Sequence, residues 1–186
     1  MLDITTSRVN GIDLQALDET VDAINKDAGC ANVQFRVKTD WLGQTRSEST
    51  VDGYRIGGQE VARSFKIVAD EPYELLGTNE APNPQELLMS AVNACMMVGY
   101  IAQASIRGIN LDSCTIETQG ELDLRGFLGL DEKVPNGYRR IDYVVTMKGD
   151  GTPEQYEEIH KAVKATSPNY FNMAQPIEMC GTLRIA

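Results

Sequence analysis

The sequence predicts an α+β fold, and three observations carry that prediction. Val33, Phe35 and Val37 alternate with Gln34, Arg36 and Lys38, the pattern of a half-buried strand, and similar stretches recur along the chain. The run from Leu87 to Ile106 contains no charged residue and is too long to be a strand. Two further segments repeat apolar residues at helical spacing behind good capping residues.

At the N-terminus, Leu14, Leu17, Val21 and Ile24 recur at helical spacing after Asp13, a suitable N-cap, and Gly29 ends the run. Three strands should follow: one around 33–37, one from Arg46 to Arg55 broken near Asp52-Gly53, and one from Glu60 to Ala69 after a Gly57-Gly58 turn. That succession suggests an antiparallel meander. Asp70 to Ala81 reads as a loop rich in acids, Pro and Gly.

The long apolar run begins where Asn83 suits the N-cap, Pro84 the first helical position and Glu86 the position that closes a capping box. Gly108 is suited to end it. A bilayer span needs roughly 20 apolar residues, so the run is long enough. Ser90, Asn93, Gln103 and Ser105 and the lack of a flanking positive cluster favour a fully buried core helix instead.

Beyond it, Cys114 shares strand parity with Ile116, Leu122 and Leu124 and should face the core, and a second strand places Ile141, Tyr143, Val145 and Met147 on one face. Thr152-Pro153-Glu154-Gln155 opens a helix to about Thr166, and Ser167-Pro168 starts a short turn from Asn169 to Ala174. A last strand is expected from Ile177 to Ile185, with Cys180, Glu178 and Arg184 on its polar face.

Composition excludes several functions. The formal net charge of −10 disfavours nucleic acid and anionic membrane surfaces as partners. Cys30, Cys95, Cys114 and Cys180 form no CxxC and no metal-ligand spacing, and there is one histidine, so no metal or other cofactor is expected. The polar, mixed first residues do not read as a secretory signal, so the expected location is cytoplasmic, with reduced thiols.

The element order, with a Cys in the middle of the apolar helix, resembles the OsmC/Ohr superfamily. The local text agrees: PNPQELLMSAVNAC is similar to that family's stretch of Pro, an acidic residue, a Leu pair, small residues and the peroxidatic Cys. TSPNYFNMAQPIEM resembles the segment where the family often carries a Cys-Pro with its resolving thiol. The resemblance covers residues 33 to 186, so the expected organisation is an N-terminal helical extension (1–31) and an OsmC-like domain (32–186) within one compact chain. It implies antiparallel strands wrapped around a long buried central helix, and an intertwined homodimer with active sites at the subunit interface. It also implies a thiol peroxidase that reduces organic hydroperoxides with an external dithiol.

By that resemblance Cys95 is the catalytic thiol, and Arg46 the arginine set against it. Two family positions differ. Gln85 stands where the catalytic glutamate would be, and Ser167 where the resolving cysteine would be, which points to a single-cysteine branch with a Ser-Pro. Gln85, Glu86 and Ser167 are therefore candidate supporting residues. Glu86 lies nine residues before Cys95, roughly opposite it on the helix and about 13 Å away along the axis, so it cannot touch the thiol of its own chain.

A thiolate is the reactive form, and burial alone would raise the thiol's pKa, so Cys95 needs a cation such as Arg46. With Cys114 expected in the core and Cys180 on a polar face, an external thiol is the expected resolving partner. His160 sits among charged residues and reads as solvated. Trp41 and Tyr100 read as core residues, and Met89, Met96, Met97 and Met173 as core or as the lining of an apolar pocket. Three readings remain: peroxidase chemistry through Cys95, a homodimer that binds a small apolar or electrophilic ligand near Cys95 without turnover, or a purely structural dimer with an inert thiol and no ligand pocket.

Overall fold

The computed structural model describes residues 8–185. The chain divides into two compact units, one ending at Leu88 and the other starting at Met89.

In the first unit, a small antiparallel pair, β1 (Arg8–Val9) and β2 (Ile12–Asp13), leads into α1 (Leu14–Lys26). The Asp13 carboxylate accepts from the Ala16 N–H, the predicted N-cap, and the helix ends at Asp27. The meander follows, with its first strand interrupted at Arg36 and Val37. β3 (Val33–Phe35) and β4 (Lys38–Gly43) pair successively with one edge of β5 (Arg46–Ile56), and β6 (Gln59–Ala69) pairs with the other.

The break expected at Asp52-Gly53 is a shift of register inside a continuous β5. An extra residue bends a strand without ending it. Gly57 and Gly58 take φ of 52° and 80°, the left-handed values a tight hairpin between β5 and β6 requires. This sheet is thinly covered: Val51 is its one buried large apolar side chain, while Phe35, Phe65 and Ile67 are exposed. Trp41, expected in the core, is 76% exposed, and its indole N–H donates to the Gln44 carbonyl.

The central helix, α2 (Pro84–Ile106), starts in the first unit and continues through the second. Its capping box forms as predicted: Asn83 Oδ1 accepts from the Glu86 N–H, and Glu86 Oε2 accepts from the Asn83 N–H, each at 2.8 Å. At its end Gly108, at φ 70°, donates to Ser105, and Ile109 donates to Ala104, closing the helix with a Schellman motif.

The second unit packs that helix against β7 (Leu111–Gly120), paired antiparallel with β8 (Ile141–Gly149), and against α4 (Pro153–Thr166). Between the strands lies α3 (Leu124–Phe127), so Leu122 and Leu124 fall outside the strand expected to carry them. α5 (Pro168–Ala174) follows α4. The core is Met96, Tyr100, Ala104, Ile109, Ile159 and Val163, with Cys114, Ile116, Tyr143, Val145 and Met147 packed on it. Strand parity placed Cys114 correctly.

Two expectations fail. No strand forms among residues 176–185, where Met179, Leu183 and Ile185 are about nine-tenths exposed. A strand needs a neighbour to accept its ladder hydrogen bonds, and among the described residues no strand pairs with this segment. The polar face expected for Cys180 is therefore undefined. Nor is α2 fully buried: Met96, Tyr100, Ala104 and Ser105 are, but Val98 is 68% exposed.

The helix is long and apolar enough to cross a membrane. Its polar groups, however, are engaged inside the second unit: Asn93 accepts from Thr118 Oγ1 at 2.6 Å, and Tyr100 meets His160 at 2.6 Å. These are the contacts of a helix packed in a folded unit. Truncating Ile159, which is fully buried, should cost about 2–5 kcal/mol, the usual loss for Ile→Ala in a core. Urea unfolding of Ile159→Ala against the wild type measures this.

Candidate functional site

Cys95 lies in the middle of α2, half-buried, on the face turned to α4 and α5. Gly99, one turn further on, lets α4 come close: a Cβ there would sit 3.2 Å from a Val163 methyl. Ser167 caps both helices at the α4/α5 junction. Its N–H donates to the Val163 carbonyl and ends α4, while its hydroxyl accepts from the Tyr170 N–H and starts α5. Pro168, at the first position of α5, enforces the break.

The Ser167 hydroxyl, 5% exposed, donates toward Cys95 Sγ at 3.4 Å. Asn169 fixes the junction by donating to the Ala91 carbonyl, one turn before Cys95, at 2.9 Å. The sequence named both Cys95 and Ser167, and the structure brings them together. A hydroxyl there can donate to a thiolate but cannot form a disulfide with it.

Arg46 opens β5, in the first unit. Its Nη1 lies 2.8 Å from Glu80 Oε2, while its Nε is buried without a hydrogen-bond partner. Glu80 is not singled out by the sequence, in which Asp70 to Ala81 reads as a loop rich in acids, Pro and Gly. Gln85 occupies the first turn of α2, half-buried. Glu86 is engaged in the capping box, one of the roles the sequence left it.

The loop itself is tightly built. Asp70 is fully buried, and its carboxylate accepts from Thr45 Oγ1, Thr78 Oγ1, the Thr78 N–H and the Glu80 N–H. The Thr78 hydroxyl, with the backbone donors, holds that carboxyl well below the usual range despite its burial. Neighbouring Glu71 goes the other way: burial, then the charges of Asp70 and Glu86, push its carboxyl up.

Cys114 is pushed up by burial, as its place against the core demands. Cys180 is exposed, with Glu178 as its hydrogen-bond partner at 3.8 Å. All four cysteines are free thiols, and among the described residues no three metal-ligating side chains gather.

His160 differs from expectation. It is half-buried, bonded through Nδ1 to the Tyr100 hydroxyl and flanked by the Tyr143 ring. One apolar face on an otherwise charged helix was the available signal. Burial, helped by Lys164, lowers its pKa from 6.5. The unfolded chain therefore takes up a proton first, so this residue's contribution to stability is full above 6.5 and is lost as pH falls from there through the lower folded value. His160→Gln should remove that part of the pH dependence between about pH 7.5 and 5.5, measured as the difference in urea midpoints.

No curated protein matches the chain. Among solved structures, the fold is similar to an OsmC-like protein from Mycoplasma pneumoniae, at 14% identity and a TM-score of 0.58, covering 76% of this chain and 87% of that one. It is also similar to an OsmC-like protein of unknown function from Vibrio cholerae, at 15% identity and a TM-score of 0.52, covering 74% and 91%. The sequence model of the OsmC-like proteins matches residues 77–179, more than half of the chain, from the end of the Glu80 loop through α2 and the Ser167 junction. The chain belongs to the OsmC-like protein family.

Proposed function

We propose that this protein is a single-cysteine thiol peroxidase of the OsmC-like family, reducing organic hydroperoxides through Cys95 with an external thiol as reductant. The observation that carries the reading is Ser167 Oγ at 3.4 Å from Cys95 Sγ. A hydroxyl occupies the place the family resemblance gives to the resolving thiol, and it retains a donor for the thiolate. The Cys95 thiolate attacks the distal peroxide oxygen, the O–O bond breaks, an S–O bond forms, and the alkoxide leaves as the alcohol after taking a proton. A small thiol then attacks the sulfenic sulfur and releases water. A second thiol displaces Cys95 from the mixed disulfide and restores it.

Arg46 is the cation this reading assigns to the thiolate, since a guanidinium stays charged and can donate to a peroxide oxygen. The competing reading, a binder without turnover, draws on the loss of a carboxylate at Gln85 and of a thiol at Ser167, while the retained Cys95 favours the peroxidase. The ion pair of Arg46 with Glu80 weakens the support from Gln85, because a carboxylate does meet the arginine. The reading also includes a cytoplasmic homodimer. The exposed apolar side chains of α2, of the first unit's sheet and of residues 176–185 support a second copy as their cover.

Intact mass after brief exposure to cumene hydroperoxide should show one added oxygen confined to Cys95 and absent from Cys95→Ser. A Cys95 that stays reduced in the folded protein rejects the peroxidase. Ser167→Cys should instead lose two hydrogens, as the introduced thiol forms a disulfide with Cys95. Val98→Asp, which places a charge on the exposed stripe of α2, should turn a sedimenting dimer into monomer; an unchanged sedimentation coefficient removes that stripe from the interface.

A further inference from the structure

The Arg46–Glu80 pair is half-exposed, with side chains 38% and 59% accessible, and an ion pair of that kind holds itself only weakly. Something else must fix it. Asp70 follows β6 directly and is fully buried. Its Oδ1 accepts from Thr45 Oγ1 at 2.9 Å, and Thr45 immediately precedes Arg46. Its Oδ2 accepts from the Glu80 N–H at 3.2 Å and from Thr78 at 2.6 Å and 3.0 Å.

One carboxylate thus ties the backbone position of the arginine to that of its partner. The loop between follows an unfavourable path that needs this anchor. Leu76 and Asn79 take φ of 66° and 53°, and a Cβ on Gly77 would fall 1.7 Å from the Glu71 carbonyl oxygen. Meanwhile the Asp70 N–H donates to the Pro82 carbonyl, which joins the same anchor to the entrance of α2.

We infer that Asp70 is a positioning residue for Arg46: it holds Thr45 and Glu80 so that the guanidinium stays ion-paired at Nη1 and keeps one orientation. The inference deepens the peroxidase reading and rests on its assignment of Arg46 as the cation for Cys95.

The test is the pH dependence of Cys95 alkylation by iodoacetamide on the full chain, with the labelled cysteine identified by peptide mass, for Asp70→Asn, Thr78→Val, Arg46→Ala and Arg46→Ala/Asp70→Asn. Loss of Arg46 should move the midpoint of Cys95 ionisation up by about one pH unit, a roughly tenfold slower reaction at a pH below both values. Asp70→Asn should give a similar rise, Thr78→Val a smaller one, and the double variant no more than Arg46→Ala alone.

The sign separates positioning from bulk electrostatics. Deleting a negative charge would by itself ease ionisation of the thiol, the reverse of the expected shift. Thermal melts show which variants fold, and Thr78→Val carries the test if Asp70→Asn does not. A folded Asp70→Asn with the wild-type profile, or a double variant shifted well beyond Arg46→Ala, overturns the inference while leaving the peroxidase reading in place. An Arg46→Ala profile identical to the wild type overturns the assignment of Arg46 itself, and with it the positioning role.

Discussion

The close approach of α4 to α2 at Gly99 is the constraint on which the second unit rests. A side chain at position 99 would press on the Val163 methyl groups, which would have to give by a few tenths of an ångström. With glycine there, Tyr100 reaches His160, Met96 and Val163 enter one core, and the end of α4 is delivered to Cys95. The helix gives up intrinsic propensity at that position, since glycine is the poorest helix former after proline. What glycine permits there is the close contact of Val163 and the placing of one hydroxyl beside one sulfur.

That arrangement also explains why the junction at Ser167 is so economical. The same residue ends one helix, starts the next and faces the thiol. Its hydroxyl accepts from the backbone on one side and donates to sulfur on the other, so both of its roles are used. Proline after it prevents the two helices from merging, which would turn the hydroxyl away.

Much of this was legible in the sequence, and the pattern of failure is physical. Caps are local: Asp13, Asn83, Thr152 and Ser167 each act within three residues, and each was read correctly. Strand parity in β7 and β8 was legible because one face packs on a core and the other meets water. The segment 176–185 shows the same alternation, but alternation specifies a face and not a neighbour, and among the described residues no strand pairs with it. Asp70 and Glu80 were opaque for another reason. Their partners Thr45, Thr78 and Arg46 are joined by tertiary contacts that no spacing rule encodes. His160 was misread because a charged helix still has one face turned inward.

Ser167 has one more consequence, which concerns kinetic order. Two adjacent thiols can store an oxidising equivalent within the protein and pass it on later. A hydroxyl cannot. In the proposed peroxidase cycle, with no second sulfur at that junction, each oxidation of Cys95 must be discharged by collision with another molecule, so the lifetime of the oxidised protein varies inversely with the concentration of its reductant. At high hydroperoxide the supply of reductant, and not the attack on peroxide, then sets the pace. Under thiol depletion the same sulfur is left open to a second, irreversible oxidation.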